Sequence, residues 1–118
     1  MARQKDIDKW YSNFTKEMSA RGLDITDPQD VMRFRIPSAD KKSSVALFPE
    51  GFIDTPKNRE KLYDKAKEGE VFFFDKKTQE AYQLGSNSDK DCKVGRANAI
   101  GMKPEKPGVI YNLLNLLT

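Results

Sequence analysis

The chain is 118 residues long and carries 21 Lys and Arg residues against 18 Asp and Glu, a formal net charge of +3. A chain of this length forms one domain, predicted to span residues 1–118, and its seven Phe, four Tyr and one Trp supply one core. The absence of histidine excludes His-based catalysis and His metal ligands, and the lone Cys92 excludes an intrachain disulfide and a cysteine zinc cage. We therefore expect no metal and no cofactor.

The sequence contains no targeting signal of the common kinds. No apolar run follows residues 1–6, so a signal peptide is not predicted. The most apolar stretch, residues 109–118, is shorter than the about 20 residues that a bilayer span needs. A single free cysteine is typical of a reducing compartment. We expect a cytoplasmic protein with no membrane contact.

The first segment has one apolar stripe with the spacing of an α-helix. Its members are Ile7, Trp10, Tyr11, Phe14 and Met18. The stripe predicts an amphipathic helix over about residues 4–21, ended by Gly22. Such a stripe forms either part of a core or a docking face for a partner. Trp10 and Tyr11 are candidate binding residues in the second case, because interface hot spots favour these residue types.

The next segment predicts a hairpin. Asp27 and Pro28 are a helix cap and a first helical residue, and they predict one helical turn at most. Residues 31–36 then alternate strictly between apolar and polar, which predicts a half-buried strand ended by Pro37. This alternation places Met32, Phe34 and Ile36 inside and Arg33 and Arg35 outside. A second strand is predicted over residues 43–48, and the short polar link between the two strands favours a hairpin.

The middle of the chain predicts a surface helix and a second hairpin. Asp54, Thr55 and Pro56 are a helix-start signature, and the helix is expected to end at about Glu68, before Gly69. Residues 70–75 are the most β-prone run in the chain, and residues 79–84 form the return strand. Apolar residues on both faces of the first strand predict that it is covered on both sides or central in the sheet.

The last third of the chain predicts a long polar loop and a closing helix. Residues 85–106 have few apolar anchors, and a loop of that length in a compact domain is usually functional or disordered. A helical stripe near the C-terminus predicts a short closing helix, with a strand at residues 109–111 as the alternative. The element order therefore predicts an α+β domain, in which the first helix packs on a mostly antiparallel sheet built from two hairpins.

No catalytic motif is present. The sequence lacks a nucleophile elbow, a Walker loop and a dinucleotide fingerprint, and its carboxylates are scattered. Cys92 has basic neighbours in sequence that would activate a thiol, but no histidine accompanies it. We expect Cys92 to be a bystander and the protein to be a binder rather than an enzyme.

Scattered basic residues are candidates for binding phosphates. They are Arg33 and Arg35 in the first predicted hairpin and Lys90, Lys93 and Arg96 in the predicted loop. If they meet in one patch, salt-dependent nucleic-acid binding follows. The linear charge pattern, however, is evenly mixed, which is typical of an ordinary solvated surface.

The leading hypothesis is a non-enzymatic interaction protein that binds another protein through a rigid surface and the loop at residues 85–106. In general character the chain is similar to small accessory or inhibitor proteins of phages and mobile elements, although this likeness is carried by no particular residues. A nucleic-acid-binding module is the first alternative. A small His-free nuclease or toxin domain is the second.

Overall fold

Three helices and five strands occur in the part of the chain that a computed structural model describes, namely residues 2–85, 91–98 and 101. In chain order they are α1 (Ala2–Ala20), α2 (Pro28–Val31), β1 (Arg35–Pro37), β2 (Ser44–Ala46), α3 (Pro56–Lys67), β3 (Phe72–Phe74), β4 (Ala81–Leu84) and β5 (Val94–Arg96). None of the described helices is long and apolar enough to cross a membrane. The predicted closing helix lies outside the described residues.

The five strands form one antiparallel sheet in the order β2-β1-β3-β4-β5. The pairs β1–β2 and β3–β4 are the two predicted hairpins, which are confirmed. β3 is the central strand, as its apolar residues on both faces predicted. With α1 packed on this sheet, the α+β class is confirmed.

An aromatic column joins α1 to the centre of the sheet. Trp10 stacks on Phe14 with ring centroids 5.5 Å apart. Phe14 meets Phe34 edge to face at 5.7 Å, and Phe34 meets Phe73 of β3 at 5.6 Å. All four rings are buried. Tyr63 of α3 meets Trp10 edge to face at 5.5 Å, so the same column also anchors the second long helix.

The end of α1 is a Schellman motif, close to the predicted end. Leu23 N donates to Met18 O at 2.8 Å, and Gly22 N donates to Ser19 O at 3.0 Å. Gly22 has a φ of +75°, which only glycine adopts without strain. The reversal directs the buried side chain of Leu23 back towards α1.

α3 begins and ends where the sequence predicted. The Thr55 side chain caps it by accepting from Asn58 N at 3.2 Å, and Pro56 opens the first turn. The helix then lies close to the end of β4. At Gly85, which has a φ of +70°, an added Cβ would lie 2.8 Å from the Cβ of Ala66, so a side chain there would push the helix away.

The prediction of a strand over residues 31–36 is wrong in its first half. The turn capped by Asp27 continues as Arg33 N donates to Asp30 O at 2.9 Å, and β1 starts only at Arg35. Arg33, expected outside, is only 8% exposed, and Met32, expected inside, is exposed. The helical turn continues because Asp30 and Arg33, three residues apart, form a buried ion pair in which Arg33 Nε lies 3.2 Å from Asp30 Oδ1. Side chains with this spacing lie on the same face of a helix.

The prediction of one uninterrupted loop over residues 85–106 is also wrong. Residues 94–96 pair with β4 as the edge strand β5, in which Val94 lies opposite Leu84. Cys92 is buried in the core, and Val94 packs against it. The apolar contacts of Cys92 and Val94 hold the segment against the core. Pairing with β4 alone is enough to form β5, because an edge strand has a neighbour on one side only.

The turn between β3 and β4 is organised by a buried carboxylate. Asp75 is 1% exposed, and its Oδ1 accepts from Lys77 N at 2.7 Å and Thr78 N at 3.4 Å. Its Oδ2 accepts from Arg21 Nη1 at 3.0 Å, and the Arg21 guanidinium lies over the ring of Tyr82 at 4.8 Å. Asp75 thus ties the end of α1 to the second hairpin.

Asp75→Asn is expected to lower the free energy of unfolding by about 2–3 kcal/mol, because it removes the charge that Arg21 and the turn amides bind. Urea unfolding followed by Trp10 fluorescence measures this. Asp40→Asn is the matched control, since exposed Asp40 accepts from Ser38 Oγ and Lys42 N within another turn. Equal destabilisation by the two substitutions would contradict the role assigned to Asp75.

Candidate functional site

The two predicted aromatic binding residues lie in the core. Trp10 belongs to the aromatic column and is buried. This favours the core alternative for Trp10, which offers almost no surface to a partner. Tyr11 is also buried, but it lines a groove at the edge of the core, which is described below.

The structure places the predicted basic residues of the sheet on opposite faces. Residues in register across a sheet share a face, and Arg35 is in register with Phe72 and, through β4, with Gly95. Arg96 follows Gly95 and so points to the other face. β1 and β5 are also three strand positions apart, roughly 14 Å. Arg96 instead pairs with Glu80, with Nη2 2.6 Å from Oε2.

The other predicted basic residues do not complete a patch within the described chain. Arg33 is buried against Asp30, whose Oδ1 also lies 3.0 Å from Lys76 Nζ. Lys93 is exposed next to β5, and Lys90 lies outside the described residues. A binding role for any of these residues stays a prediction.

Arg35 is held by neutral groups. Its Nε donates to Ser44 Oγ at 2.8 Å and its Nη2 donates to Ser44 O at 2.8 Å. A longer bond joins Nη1 to Met32 O at 3.4 Å. These contacts fix the half-buried guanidinium without neutralising its charge.

Cys92 has the properties of a bystander thiol. It is buried, and burial, followed by the charge of Glu17, raises its pKa to about 12. Thiol reactivity requires the thiolate form, which is scarce at neutral pH for such a group. The bystander alternative is therefore favoured.

A groove of about 250 Å³ lies between α1 and residues 23–26. Its apolar lining comes from Phe14, Met18, Leu23 and Ile25, and its polar lining from Thr15, Ser19, Asp24 and Thr26. The Schellman motif at Gly22 creates this groove, because it turns the chain back along α1. Tyr11 closes one end.

Tyr11 lines this groove, and its hydroxyl is protonated at neutral pH. Its ring lies between Phe52, at 6.0 Å, and the Arg59 guanidinium, at 4.4 Å. Burial raises the pKa of Tyr11 to about 12, and the charges of Asp54 and Asp24 add to the rise. The side chain is 6% exposed, and its hydroxyl makes no hydrogen bond within residues 2–85, 91–98 and 101.

A fixed carboxylate stands at the rim of the groove. Asp24 Oδ1 accepts from Thr26 N at 2.9 Å and from Thr26 Oγ1 at 2.6 Å. The hydrogen bonds from Thr26 hold the pKa of Asp24 below its ordinary value, so the group is ionised at neutral pH. Asp24 N in turn donates to Asp30 Oδ2 at 3.1 Å, which links the rim to α2.

A second cavity, of about 500 Å³, lies between α1 and the start of α3. Gln4, Asp8, Asp54, Pro56 and Arg59 line it. Arg59 forms two bonds to Asp54, Nε to Oδ1 at 2.5 Å and Nη2 to Oδ2 at 2.9 Å, and a third from Nη1 to Asp8 at 3.2 Å. The bidentate pair lowers the pKa of Asp54 and raises that of Arg59.

Ile53 stands beside this cavity and is the most exposed large hydrophobic side chain among the described residues, at 71%. Its loop is rigidly braced. On one side, Phe52 packs edge to face on Phe48 at 4.9 Å. On the other, Asn58 Nδ2 donates to Ile53 O at 2.7 Å, and Arg59 holds Asp54.

Sequence reasoning missed both Ile53 and the groove. The signal for Ile53 was present: an isoleucine next to a helix-start signature, outside any apolar stripe. The groove left no such signal, because its walls come from two segments that meet only after α1 has reversed.

The site is suited to binding. The groove combines apolar walls, one phenol and one fixed carboxylate. No cluster of three or more Cys, Asp or Glu side chains in the described residues could hold a metal ion. Comparison with protein-family models, with curated proteins and with solved structures finds no match.

The raised pKa of Tyr11 predicts a loss of stability at alkaline pH. The folded state resists forming the phenolate, so this contribution is complete below the ordinary pKa of 10.0 and is lost as pH rises towards about 12. In that window the free energy of unfolding falls by up to about 1.4 kcal/mol per pH unit from this group.

Tyr11→Phe is expected to flatten the slope of unfolding free energy against pH in that window. Urea unfolding across the window measures the slope in both proteins, and Cys92 contributes equally to each. Identical slopes would show that Tyr11 is not in the electrostatic environment described.

Proposed function

We propose that the protein is a non-enzymatic interaction protein that binds another protein through the surface around Ile53. The exposure of this side chain on a braced loop supports the proposal. Fully burying an isoleucine side chain contributes about 1.5–3 kcal/mol, and a loop that is already ordered loses little entropy when it is bound. Interfaces concentrate their binding energy in such preformed apolar anchors.

We also propose that the protein acts in the cytoplasm, in the manner of small accessory proteins of phages and mobile elements. A single, buried, free thiol is compatible with a reducing compartment. Contact through residues 85–106, the second part of the sequence-based hypothesis, stays a prediction. Its described portion offers the exposed side chains of Lys93 and Arg96.

Ile53→Ser is expected to abolish capture of the partner from lysate. Tagged wild-type protein should retain a discrete protein band that survives nuclease and high salt, and the substitution should reduce it at least about tenfold, as for a hot-spot residue. Val45→Ser is the matched control, because Val45 is also an exposed aliphatic residue, at 47%, but lies on β2. Both substitutions replace an uncharged side chain by serine, so the two variants have the same net charge.

Two results would contradict this proposal. Equal loss of the band in both variants would show that Ile53 is not a specific anchor. Retention of the band in Ile53→Ser would place the interface elsewhere on the molecule. Urea unfolding of each variant separates loss of binding from loss of folding.

The second candidate function is nucleic-acid binding, and the unneutralised guanidinium of Arg35 favours it. Arg35→Gln is then expected to weaken binding to every nucleic-acid sequence and to reduce the salt slope by about one unit. Salt-dependent fluorescence anisotropy with a labelled oligonucleotide measures both. An unchanged slope would show that Arg35 does not contact the nucleic acid.

The third hypothesis, a His-free nuclease or toxin, stays a prediction from sequence.

A further inference from the structure

The hydroxyl of Tyr11 is a polar group without a protein partner on a side chain that is otherwise buried. Nine-tenths of the side chain is buried, yet the phenol has no hydrogen-bond partner in the described chain and lines the groove beside α1. The hydroxyl oxygen itself is not among the fully buried unpartnered polar atoms, so it is accessible to solvent and a ligand in the groove can replace that water. A phenol oxygen accepts a hydrogen bond as well as donating one, so an incoming N–H group would satisfy it.

The charge around Tyr11 selects a cation. The negative charges of Asp54 and Asp24 both act on Tyr11, and Arg59, which lies over the Tyr11 ring, is paired with Asp54 and Asp8. Asp24 is bonded through Oδ1 to the neutral Thr26 alone, and its charge is therefore not neutralised. Since the carboxylate is ionised and held in place, it attracts a positively charged group to the groove.

The size and lining of the groove limit what enters. Its volume of about 250 Å³ is below the range of roughly 300–1,000 Å³ for pockets that hold drug-sized ligands. The walls contributed by Met18, Leu23 and Ile25 are apolar. Basic side chains combine a methylene stem, which packs on apolar surface, with a charged end that stays near water.

We propose that this groove binds an arginine side chain of the partner protein, with its methylenes against Leu23 and Ile25 and its guanidinium donating to Tyr11 Oη and Asp24 Oδ2. Arginine is favoured over lysine because its planar fork of donors reaches two acceptors at once. That the arginine belongs to a partner protein rests on the proposed function. That the groove binds an arginine side chain rests only on the residues that line it.

The test is a titration of the full-length, isotope-labelled chain with Nα-acetylarginine N-methylamide, followed by NMR. We expect saturable shifts of the Leu23 and Ile25 methyl signals with a Kd on the order of 1 mM. The neutral analogue Nα-acetylcitrulline N-methylamide, which has the same shape, should bind at least about tenfold more weakly. The affinity of Nα-acetyllysine N-methylamide, whose ε-amine is free, should lie between those of the other two probes.

Substitutions locate the binding. Asp24→Asn is expected to weaken it about tenfold, and Tyr11→Phe about threefold, because a charged acceptor is worth more than a neutral one. Asp40→Asn is the matched control, because Asp40 also accepts hydrogen bonds from a hydroxyl and a backbone amide, in a turn away from the groove. This variant should bind the arginine probe as wild type does. Spectra outside the groove verify folding in each variant.

The proposal is overturned if the arginine probe gives no saturable shift at Leu23 and Ile25, if citrulline binds equally, or if Asp24→Asn binds as wild type does. Failure of the proposed function has a different signature. In that case the arginine probe binds the groove normally, but Ile53→Ser leaves capture of the partner unchanged.

Discussion

The packing of α1 on the central strand through stacked aromatic rings is the contact on which the other features depend. Trp10, Phe14, Phe34 and Phe73 form a continuous column from helix to sheet. Because these side chains are large and their rings are in contact, the rotation of α1 about its axis is fixed. That rotation places Tyr11 at the edge of the core and determines which side chains of α1 line the groove that the reversal at Gly22 forms.

Buried carboxylates explain why the most basic segments do not form a basic surface. Asp30 draws Arg33 and Lys76 to itself, and Asp75 draws Arg21. In each case the cation shields a carboxylate that would be costly to bury alone, so the pairing is required by folding. At these places charge fixes turns and helix ends, and Arg21, Arg33 and Lys76 are used in doing so.

Local patterns in the sequence were sufficient for much of the fold. The stripe of α1, the caps at Thr55 and Gly22 and the two hairpins were predicted from short-range spacing, and all are present. The errors arose where long-range contacts decide. Alternation over residues 31–36 resembled a strand, but the buried pair of Asp30 and Arg33 extends a helical turn instead.

β5 and the groove could not be predicted for a related reason. An edge strand as short as Val94–Arg96 exists only because β4 is beside it, and the groove exists only because the chain reverses after α1. The residues that line the groove carry no shared motif. Their proximity follows from tertiary structure, which spacing along the chain does not encode.

The lengths of the outer strands have a consequence for behaviour at high concentration. Among the described strands, β2 and β5 are the two edges of the sheet, and each has only three residues. So short an edge offers few free backbone groups, and the lysine-containing turn before β2 adds like-charge repulsion between molecules. Edge-to-edge pairing of sheets from different molecules is thereby discouraged, so the exposed Ile53 lies on a molecule whose sheet edges do not themselves promote aggregation.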